Sequence, residues 1–292
     1  MRIFMQFPEG RTKALTLSYD DGVVQDERMI ALLDENGIKS TFNLNSGLYP
    51  PPDKVFPPNE PNRKMPKDKA TALYTDCGHE VAMHGLMHAF AEKLPADSAL
   101  YEILEDRKNL EQQFHCPVRG LAYAWGTYSD MVVEMAKKAG VAYARTTGTS
   151  ENFAIPEDWL RWSPTCHHAH PRLMEFAEQM VTGSPANDPY NHTPWLFYVW
   201  GHTYEFDAWG SWELIENFAR YIGNREDIWY ATNGQVHDYV EAYRHLDWTL
   251  EGDAVYNPTA LPVWFEAMEY TNYTFKSYCV RPGELLRLHE TT

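Results

Sequence analysis

Apolar runs alternate with amphipathic segments along the first 250 residues of the chain. An apolar run at 14–19 predicts a strand, and a helical periodicity at 26–36 that stops at Gly37 predicts the first helix. A second apolar run at 40–45 predicts the next strand, so the chain opens with a strand–helix–strand unit. The pattern continues with predicted helices at 98–114, 129–139, 173–182, 213–222 and 236–245, and predicted strands at 116–122, 141–144, 196–200 and 228–231.

This repeated alternation predicts an α/β fold built around a parallel-stranded barrel. Beyond about residue 248 the alternation fails, and three aromatic, β-branched runs predict a small β appendage. We therefore expect a barrel over residues 1–250 and a C-terminal β appendage over 251–292 that packs on it. Residues 50–66 are rich in Pro, Asn and Lys, which predicts an irregular excursion beside the mouth of the barrel.

Two adjacent carboxylates and a glycine end the first predicted strand, in the run LTLSYDDG at 15–22. Neighbouring side chains of an extended chain point to opposite faces, so Asp20 and Asp21 can serve different tasks. One can bind a cation while the other stays free as a base. The same three residues also occur at ordinary strand exits, because Asp and Gly suit tight turns.

A pair of histidines, His84 and His88, follows about 60 residues later with i,i+4 spacing. On a helix this spacing would place both rings on one face, with Cβ atoms roughly 5–6 Å apart. With one aspartate they would form a three-ligand set for a catalytic metal that leaves a position open for water. Either motif alone has a structural explanation. The interpretation therefore depends on the order of three features along the chain: the two aspartates, the two histidines, and a later histidine, His202, that follows an apolar strand.

In this order the motifs resemble those of the polysaccharide deacetylase family, the carbohydrate esterases of family 4 that share the NodB homology domain. The family's TFDDG motif corresponds to SYDDG at 18–22, and its H-[ST]-x-x-H motif corresponds to HGLMH at 84–88. Its final histidine corresponds to the end of LFYVWGH at 196–202. The resemblance implies a distorted, TIM-like (β/α) barrel of about seven parallel strands.

The resemblance also implies a role for each matched residue. Asp20 would be the catalytic base, and Asp21, His84 and His88 would bind one divalent metal ion. His202 would be the general acid that protonates the departing amine nitrogen. Zn²⁺ suits two histidines and one aspartate, and Mn²⁺, Co²⁺ or Ni²⁺ are compatible with the same donors. When bound, the ion would polarise an acyl carbonyl and activate water.

The third family motif, an arginine followed by Pro-Tyr-Gly, is matched imperfectly. Trp125-Gly126 corresponds to its Tyr-Gly, and Arg119 lies further upstream than the motif requires. We expect Arg119 to hold Asp20 in its ionised form, although a surface salt bridge is an open alternative. Tyr123 and Trp125 are expected to contact the substrate, with a backbone N–H near Trp125 binding the oxyanion.

The fourth family motif, an Asp-Trp that orients the general acid, has one candidate, Asp158 with Trp159. Asp158 is assigned this catalytic role here, and capping of a helix is its structural alternative. In the second motif, Gly85 replaces a Ser or Thr whose hydroxyl usually braces the metal-site loop. We therefore expect another group to hold this loop in place.

The predicted function is a metal-dependent hydrolase, acting on carbon–nitrogen bonds other than peptide bonds, that removes N-acetyl groups from amino sugars of a polysaccharide or oligosaccharide. An amidohydrolase or deacylase acting on a linear or cyclic non-carbohydrate amide is the alternative, and a non-catalytic carbohydrate-binding barrel is a third. The histidine-rich run Cys166-His167-His168-Ala169-His170 is a further candidate for metal ligation, or else a loop lining the cleft.

The amino-acid composition limits the classes of molecule that the protein is expected to bind. The net charge is −16, with 25 Lys and Arg against 41 Asp and Glu, which argues against nucleic acid or an anionic membrane as a partner. A carbohydrate or small amide substrate and a cationic cofactor suit this charge, and the aromatic residues, which include ten Trp and 18 Tyr, can stack on sugar rings. A homodimer formed through the β appendage is a further expectation.

The sequence contains no apolar run typical of a signal peptide or a membrane span. Its four cysteines lack a CxxC spacing and fit reduced thiols. Both observations predict a cytoplasmic location. Such a location favours oligosaccharide fragments or other small amides over cell-wall polymer as the substrate.

Overall fold

The computed structural model describes residues 1–187, 190–269 and 274–288. In this part of the chain the strands are β1 (Arg2–Gln6), β2 (Lys13–Asp20), β3 (Ser40–Leu44), β4 (Glu80–Met83), β5 (Gly120–Ala122), β6 (Tyr143–Arg145), β7 (Cys166–His167), β8 (Trp195–Gly201), β9 (Ile228–Tyr230), β10 (Asp247–Trp248), β11 (Ala254–Tyr256), β12 (Val263–Glu269), β13 (Thr274–Val280) and β14 (Leu285–Arg287). The helices are α1 (Asp26–Glu35), α2 (Lys67–Tyr74), α3 (Ala96–Phe114), α4 (Asp130–Lys138), α5 (Leu173–Thr182), α6 (Tyr204–Trp209), α7 (Trp212–Ile222) and α8 (Asn233–Arg244).

The central sheet is parallel, with strands in the order β6-β5-β4-β3-β2-β8-β7. An eighth strand, β9, pairs with residues 13–15 at the start of β2, whereas β3 pairs with residues 17–20 at the end of β2. The two ends of this sheet approach each other through one segment, because Trp162 bridges to Arg145 in β6 and Cys166 in β7 pairs with Val199 in β8. The sheet therefore curls into a distorted barrel, which confirms the predicted fold class.

β2 is an interior strand of this sheet, with β3 on one side and β8 on the other. All eight of its residues are buried, as expected for a parallel strand covered on both faces, and its first seven residues pair with β8. The helices cover the outside of the barrel with one apolar face each. Helix α7, for example, buries Trp212, Ile215, Phe218, Ala219 and Ile222, which follow helical spacing.

The predicted strands and helices agree closely with the structure where the pattern is long. β2, α1 and β3 begin and end within one residue of their predicted limits. The predicted strand at 116–122 was wrong over its first four residues, because the chain leaves α3 in a turn in which the Val118 N–H bonds Glu111 Oε1. The short elements β1, β4, β7, β10, β14, α2 and α6 were not predicted, because a few residues do not carry a readable periodicity.

The C-terminal strands form two small antiparallel sheets, β1-β12-β13 and β10-β11-β14. β1 and β10 precede residue 250 and pair with β12 and β11, which follow it. Strand pairing therefore crosses the predicted domain boundary at residue 250. The division into two domains stays a prediction. The last four residues of the predicted appendage, 289–292, lie outside the described residues. Among the described residues, no helix has the length and apolar character needed to cross a bilayer.

Asp26, the first residue of α1, is a buried carboxyl group that makes hydrogen bonds to the turn before α1, to α2 and to the residue before α6. Its carboxylate accepts hydrogen bonds from Tyr74 Oη at 2.5 Å, Thr203 Oγ1 at 2.5 Å and the Val23 N–H at 3.2 Å. The side chain is fully buried, and burial raises the pKa of Asp26 to about 7. The folded state therefore holds a proton at this carboxyl that the unfolded chain loses near its ordinary pKa of about 4.

This difference predicts how stability changes with pH. The contribution of the protonated Asp26 is fully present below about pH 4 and is lost as the pH rises to about 7. Asp26→Asn carries no titrating group at this position, so its free energy of unfolding should not show this loss. The difference in free energy of unfolding, Asp26→Asn minus wild type, should therefore increase by a few kcal/mol from about pH 4 to about pH 7, at about 1.4 kcal/mol per pKa unit. Urea unfolding of both proteins and of the exposed control Glu27→Gln measures this. A constant difference between wild type and Asp26→Asn across the range would contradict the prediction.

Candidate active site

A cavity of about 350 Å³ opens at the carboxyl end of the barrel. Asp20, Asp21, His84, His88 and His202 all line it. They come from the ends of three parallel strands, β2, β4 and β8, and carboxyl ends of parallel strands meet at one edge of a sheet. The structure thus brings together the residues of the three specific sequence motifs.

Asp20 ends β2 and is 1% exposed. Its Oδ1 accepts a hydrogen bond of 2.7 Å from Asn43 Nδ2, and its Oδ2 accepts one from Arg145 Nη2. The same Oδ2 lies 3.7 Å from His84 Nε2 and 3.9 Å from His202 Nε2. Burial by itself would raise the pKa of Asp20, but the Arg145 guanidinium and the two imidazoles lower it below its usual value. Asp20 is therefore an ionised carboxylate facing the cavity.

Asp21 follows in a left-handed turn, with φ of +86° at Asp21 and +63° at Gly22. Its Oδ1 accepts a hydrogen bond of 3.0 Å from Lys64 Nζ and lies 4.0 Å from His88 Nε2. Burial would raise the pKa of Asp21, but the Lys64 ammonium and the nearby histidines lower it well below its usual value. The carboxylate is therefore charged and faces the histidine pair.

His84 and His88 lie in a turn after β4, and this turn rather than a helix brings both rings to the cavity. Positive φ values of +81° at Gly85 and +52° at His88 bend this turn, because β4 ends at Met83 and the chain must reverse into the cavity. The two Nε2 atoms lie 3.1 Å apart. His84 Nδ1 lies 2.9 Å from the Ala122 carbonyl oxygen, which assigns its proton to Nδ1 and leaves the Nε2 lone pair toward His88.

The backbone of this turn is held by two buried side chains. Asn45 Nδ2 donates to the carbonyl oxygens of His84 and Gly85 at 2.7 and 2.8 Å. Asp106 Oδ2 accepts from the His84 N–H at 3.2 Å. These contacts supply the bracing that a Ser or Thr at position 85 would otherwise give.

Asp21, His84 and His88 fit a divalent metal ion. One ligand atom from each residue lies within 4.8 Å of the other two. A tetrahedral ion with bonds of about 2.1 Å requires donors about 3.4 Å apart, and the 3.1 and 4.0 Å separations bracket this value. Burial lowers the pKa of His84 and lowers that of His88 to about 4, so both imidazoles are neutral and keep the lone pair that metal binding needs.

His202 follows β8 on the other side of Asp20. Its Nδ1 lies 3.4 Å from Glu205 Oε2, and its backbone N–H donates to the same oxygen at 3.2 Å. Burial alone would lower the pKa of His202, but the carboxylates of Glu205 and Asp20 outweigh burial and raise it. His202 is therefore a cationic or readily protonated imidazole whose Nε2 faces the cavity.

Two of the predicted catalytic residues lie elsewhere. Arg119 precedes β5, at the amino end of the barrel, where its Nη2 donates to Asp238 Oδ2 at 2.6 Å. The expectation that Arg119 holds Asp20 is corrected, because Arg145 at the carboxyl end of β6 occupies that position. Asp158 Oδ1 accepts from the Leu160 N–H at 2.9 Å, and its Oδ2 pairs with Arg161 at 2.6 Å. Asp158 thus caps a short 3₁₀ turn, and the acidic partner of His202 is Glu205 instead.

The two residues predicted to contact substrate both line the cavity. Trp125 is 56% exposed, stacks on Phe90 with ring centroids 4.8 Å apart, and donates from Nε1 to the His88 carbonyl oxygen at 2.8 Å. Tyr123 is buried, and its hydroxyl donates to the Leu160 carbonyl oxygen at 2.9 Å. Trp125 therefore presents an aromatic surface at the rim, whereas the Tyr123 hydroxyl is already engaged.

Four residues of the site were not predicted from the sequence: Arg145, Glu205, Asn43 and Lys64. A signal existed for Arg145, because it directly follows the predicted strand at 141–144 and polar residues at that end of a barrel strand are functional candidates. Glu205 lies three residues after His202, but that spacing had no meaning until α6 was known to begin there. Lys64 reaches the site from the irregular excursion at 50–66, and nothing in its local sequence indicates this.

Comparison with known proteins agrees with this geometry. Residues 8–144 match the family described as polysaccharide deacetylase. A candidate polysaccharide deacetylase from Mycobacterium smegmatis has the same fold, with a TM-score of 0.58 at 14% identity over 84% of this chain and 96% of that one. The resemblance to the polysaccharide deacetylase family is thereby confirmed. A search of curated proteins found no match.

Two further solved structures align with lower scores. A family 4 acetyl xylan esterase from Clostridium thermocellum, in complex with a cobalt ion, is 14% identical over 77% of this chain and 90% of that one, with a TM-score of 0.48. A Streptococcus pyogenes deacetylase in complex with acetate is 18% identical over 45% of this chain, with a TM-score of 0.39. This chain spans 55% of the length of the streptococcal protein.

The placement of the two arginines predicts a difference in stability. Arg145→Met should lower the free energy of unfolding by about 3–5 kcal/mol at pH 7, because it leaves the buried Asp20 carboxylate without its partner. Arg119→Met should cost less than about 1 kcal/mol, because its ion pair with Asp238 is 43% and 39% exposed. Urea unfolding in the presence of a chelator compares the two variants. Equal losses would contradict the assignment of Arg145 as the partner of Asp20.

Proposed function

We propose that this protein is a metal-dependent amidohydrolase that removes N-acetyl groups from amino sugars of a polysaccharide or oligosaccharide. The observation that carries the proposal is the position of Asp20 Oδ2, which lies 3.7 Å from His84 Nε2 and 3.9 Å from His202 Nε2. A carboxylate and an imidazole thus face one cavity beside a set of metal donors. Amide hydrolysis near neutral pH requires a base, an acid and an electrophile in this arrangement.

Asp21, His84 and His88 would hold the metal ion. A divalent ion at this position supplies Lewis-acid polarisation of the acyl carbonyl and lowers the pKa of water. The neutral imidazoles and the charged carboxylate are the donor types that Zn²⁺, Co²⁺ and Mn²⁺ accept, so the ion's identity stays open.

Asp20 would take the proton of the attacking water. Arg145 and Asn43 hold both of its oxygens in fixed directions, and the guanidinium keeps the carboxylate ionised. Because each oxygen accepts only one of these bonds, lone pairs remain for water. Asp20 is thereby oriented without being neutralised by a metal.

His202 would donate a proton to the amine nitrogen as the carbon–nitrogen bond breaks. An amine anion is a very poor leaving group, so this protonation is required for turnover. The Glu205 carboxylate, whose Oε2 lies 3.4 Å from Nδ1 and accepts from the His202 N–H at 3.2 Å, would stabilise the protonated imidazole by its charge. Glu205 is therefore proposed as the residue that positions the general acid.

The rim of the cavity supports a sugar as the group that carries the acetamide. The stacked rings of Trp125 and Phe90, with 6° between their planes, offer a flat apolar face beside His88. Pyranose rings present a face of C–H bonds that packs on such a surface. The volume of about 350 Å³ lies at the lower end of the usual range for ligand sites, which suits one sugar unit rather than a long chain segment.

Acetate release tests the reaction. Metal-loaded protein incubated with N-acetylated sugars, chitooligosaccharides and peptidoglycan fragments should release acetate from at least one class. Asp20→Asn should bind metal as the wild type does and lose at least about 100-fold in turnover, because it removes the general base. Asp238→Asn, the same chemical change at the opposite end of the barrel, should keep wild-type turnover.

Other results would assign the protein differently. Turnover retained in Asp20→Asn would remove Asp20 from the role of base. Release of acid from a linear or cyclic non-carbohydrate amide, with none from sugars, would favour the alternative substrate class. Binding of sugars without hydrolysis by any metal-loaded form would indicate a non-catalytic barrel.

Removal of the metal gives an independent prediction. Chelator-treated protein should release no acetate, and added Zn²⁺ or Co²⁺ should restore release. His88→Ala should need more than about 100-fold more metal for the same recovery, since even groups that only orient a ligand change affinity by 10–100-fold. His245→Ala, which removes an exposed histidine of the barrel surface, should recover as the wild type does. Full turnover in chelator would contradict the metal requirement.

A further inference from the structure

A second group of metal-type donors lies next to the general acid. It consists of His167 at the end of β7, His168 directly after it, and Glu205 in the first turn of α6. Glu205 Oε2 lies 3.1 Å from His167 Nε2 and 3.3 Å from His168 Nε2. One ligand atom from each residue lies within 4.8 Å of the other two. This set shares no residue with Asp21, His84 and His88.

His168 is a buried member of this group, and among the described residues neither of its ring nitrogens has a partner in hydrogen-bond geometry. Leaving a buried polar group unpaired costs about 1–3 kcal/mol. A ligand bound to Nε2 would remove part of this cost.

The surroundings of His168 hold its ring in this orientation. The ring stacks on Phe206 with centroids 4.2 Å apart and lies 5.9 Å from the ring of Tyr19. A Cβ atom at Gly201 would lie 2.0 Å from His168 Nδ1, so only glycine at this position of β8 makes room for the imidazole. The ring therefore cannot turn toward solvent to satisfy its nitrogens, and its Nε2 stays 3.3 Å from Glu205 Oε2.

The protonation states of these groups suit a cation. Burial and the neighbouring His167 lower the pKa of His168 to about 3, so its lone pair is free at neutral pH. Burial would raise the pKa of Glu205, but hydrogen bonds and charge from His167 and His202 outweigh burial and lower this pKa well below its usual value. Glu205 is therefore a carboxylate that faces two imidazoles, the donor set found in several zinc sites.

We propose that His167 Nε2, His168 Nε2 and Glu205 Oε2 bind a second divalent transition-metal ion such as Zn²⁺ or Co²⁺. His167 is 22% exposed, and the half-exposed Trp209 lies about 6 Å from both imidazole rings, so an ion can enter from this side. Glu205 Oε2 also faces His202 Nδ1 at 3.4 Å, so the second ion shares a carboxylate with the general acid. The proposal does not rest on the deacetylase activity.

Metal stoichiometry tests this site. Chelator-treated full-length protein is titrated with Co²⁺ alone, and bound cobalt is counted by equilibrium dialysis and followed by its visible absorption. We expect His167→Gln to bind one equivalent fewer than the wild type. His170→Gln, which changes the next histidine along the same segment, should bind the same amount as the wild type. His84→Gln with His88→Gln should keep the equivalent that His167→Gln loses.

Trp209 offers a second readout. Co²⁺ quenches nearby indole fluorescence, and the share of the quenching that comes from Trp209 is the share that Trp209→Phe removes. This share should disappear in His167→Gln and persist in His84→Gln with His88→Gln.

His168→Gln changes a buried side chain, so circular dichroism first establishes that this variant is folded. If it is not, His167→Gln and Glu205→Gln, whose side chains are partly exposed, carry the test. Equal cobalt content and equal quenching in the wild type and His167→Gln would overturn the proposal, whatever the protein's activity.

Discussion

The ion pair between Asp20 and Arg145 joins parts of the barrel that are far apart in the sheet. β2 and β6 are separated by three strands, so the two side chains meet only because the sheet curls. Both are about 1% exposed, and each would be costly without the other. Asn43 from β3 and the histidines after β4 and β8 surround the same carboxylate. The geometry of the candidate site therefore depends on the closure that this pair completes.

Strand ends set the positions of the functional groups, and left-handed turns set their directions. Asp21 and Gly22 turn the chain after β2, and Gly85 and His88 turn it after β4, each with positive φ. Such turns are unfavourable for most side chains, and here Asn45 and Asp106 hold the second one by hydrogen bonds to its backbone. The candidate metal ligands Asp21, His84 and His88 are thus positioned by strained left-handed turns, and hydrogen bonds from buried polar side chains offset the strain of the second turn.

Much of the fold and of the candidate site was predictable from sequence, because the relevant signals are local. The buried run of β2 is readable as a strand, and Asp20 and Asp21 lie at its end. The excursion at 50–66 was expected beside the mouth, and Lys64 from this segment does reach Asp21. The local conformation of His84 and His88 was not decided by their spacing, because an i,i+4 spacing is shared by helices and by tight turns. In the structure Gly85 adopts the left-handed conformation of this turn, which glycine tolerates.

The sequence by itself determined the parallel α/β class, the acidic pair at the strand end, and the histidines that follow in order. Only the tertiary structure decided which arginine pairs with Asp20 and which carboxylate faces His202. Arg119 and Arg145 both lie near short strands, but one precedes β5 and the other ends β6, so they lie at opposite ends of the barrel. Their partners are more than 100 residues away along the chain. Such pairings follow from the curvature and register of the whole sheet, which arise from many weak long-range contacts and leave no local pattern.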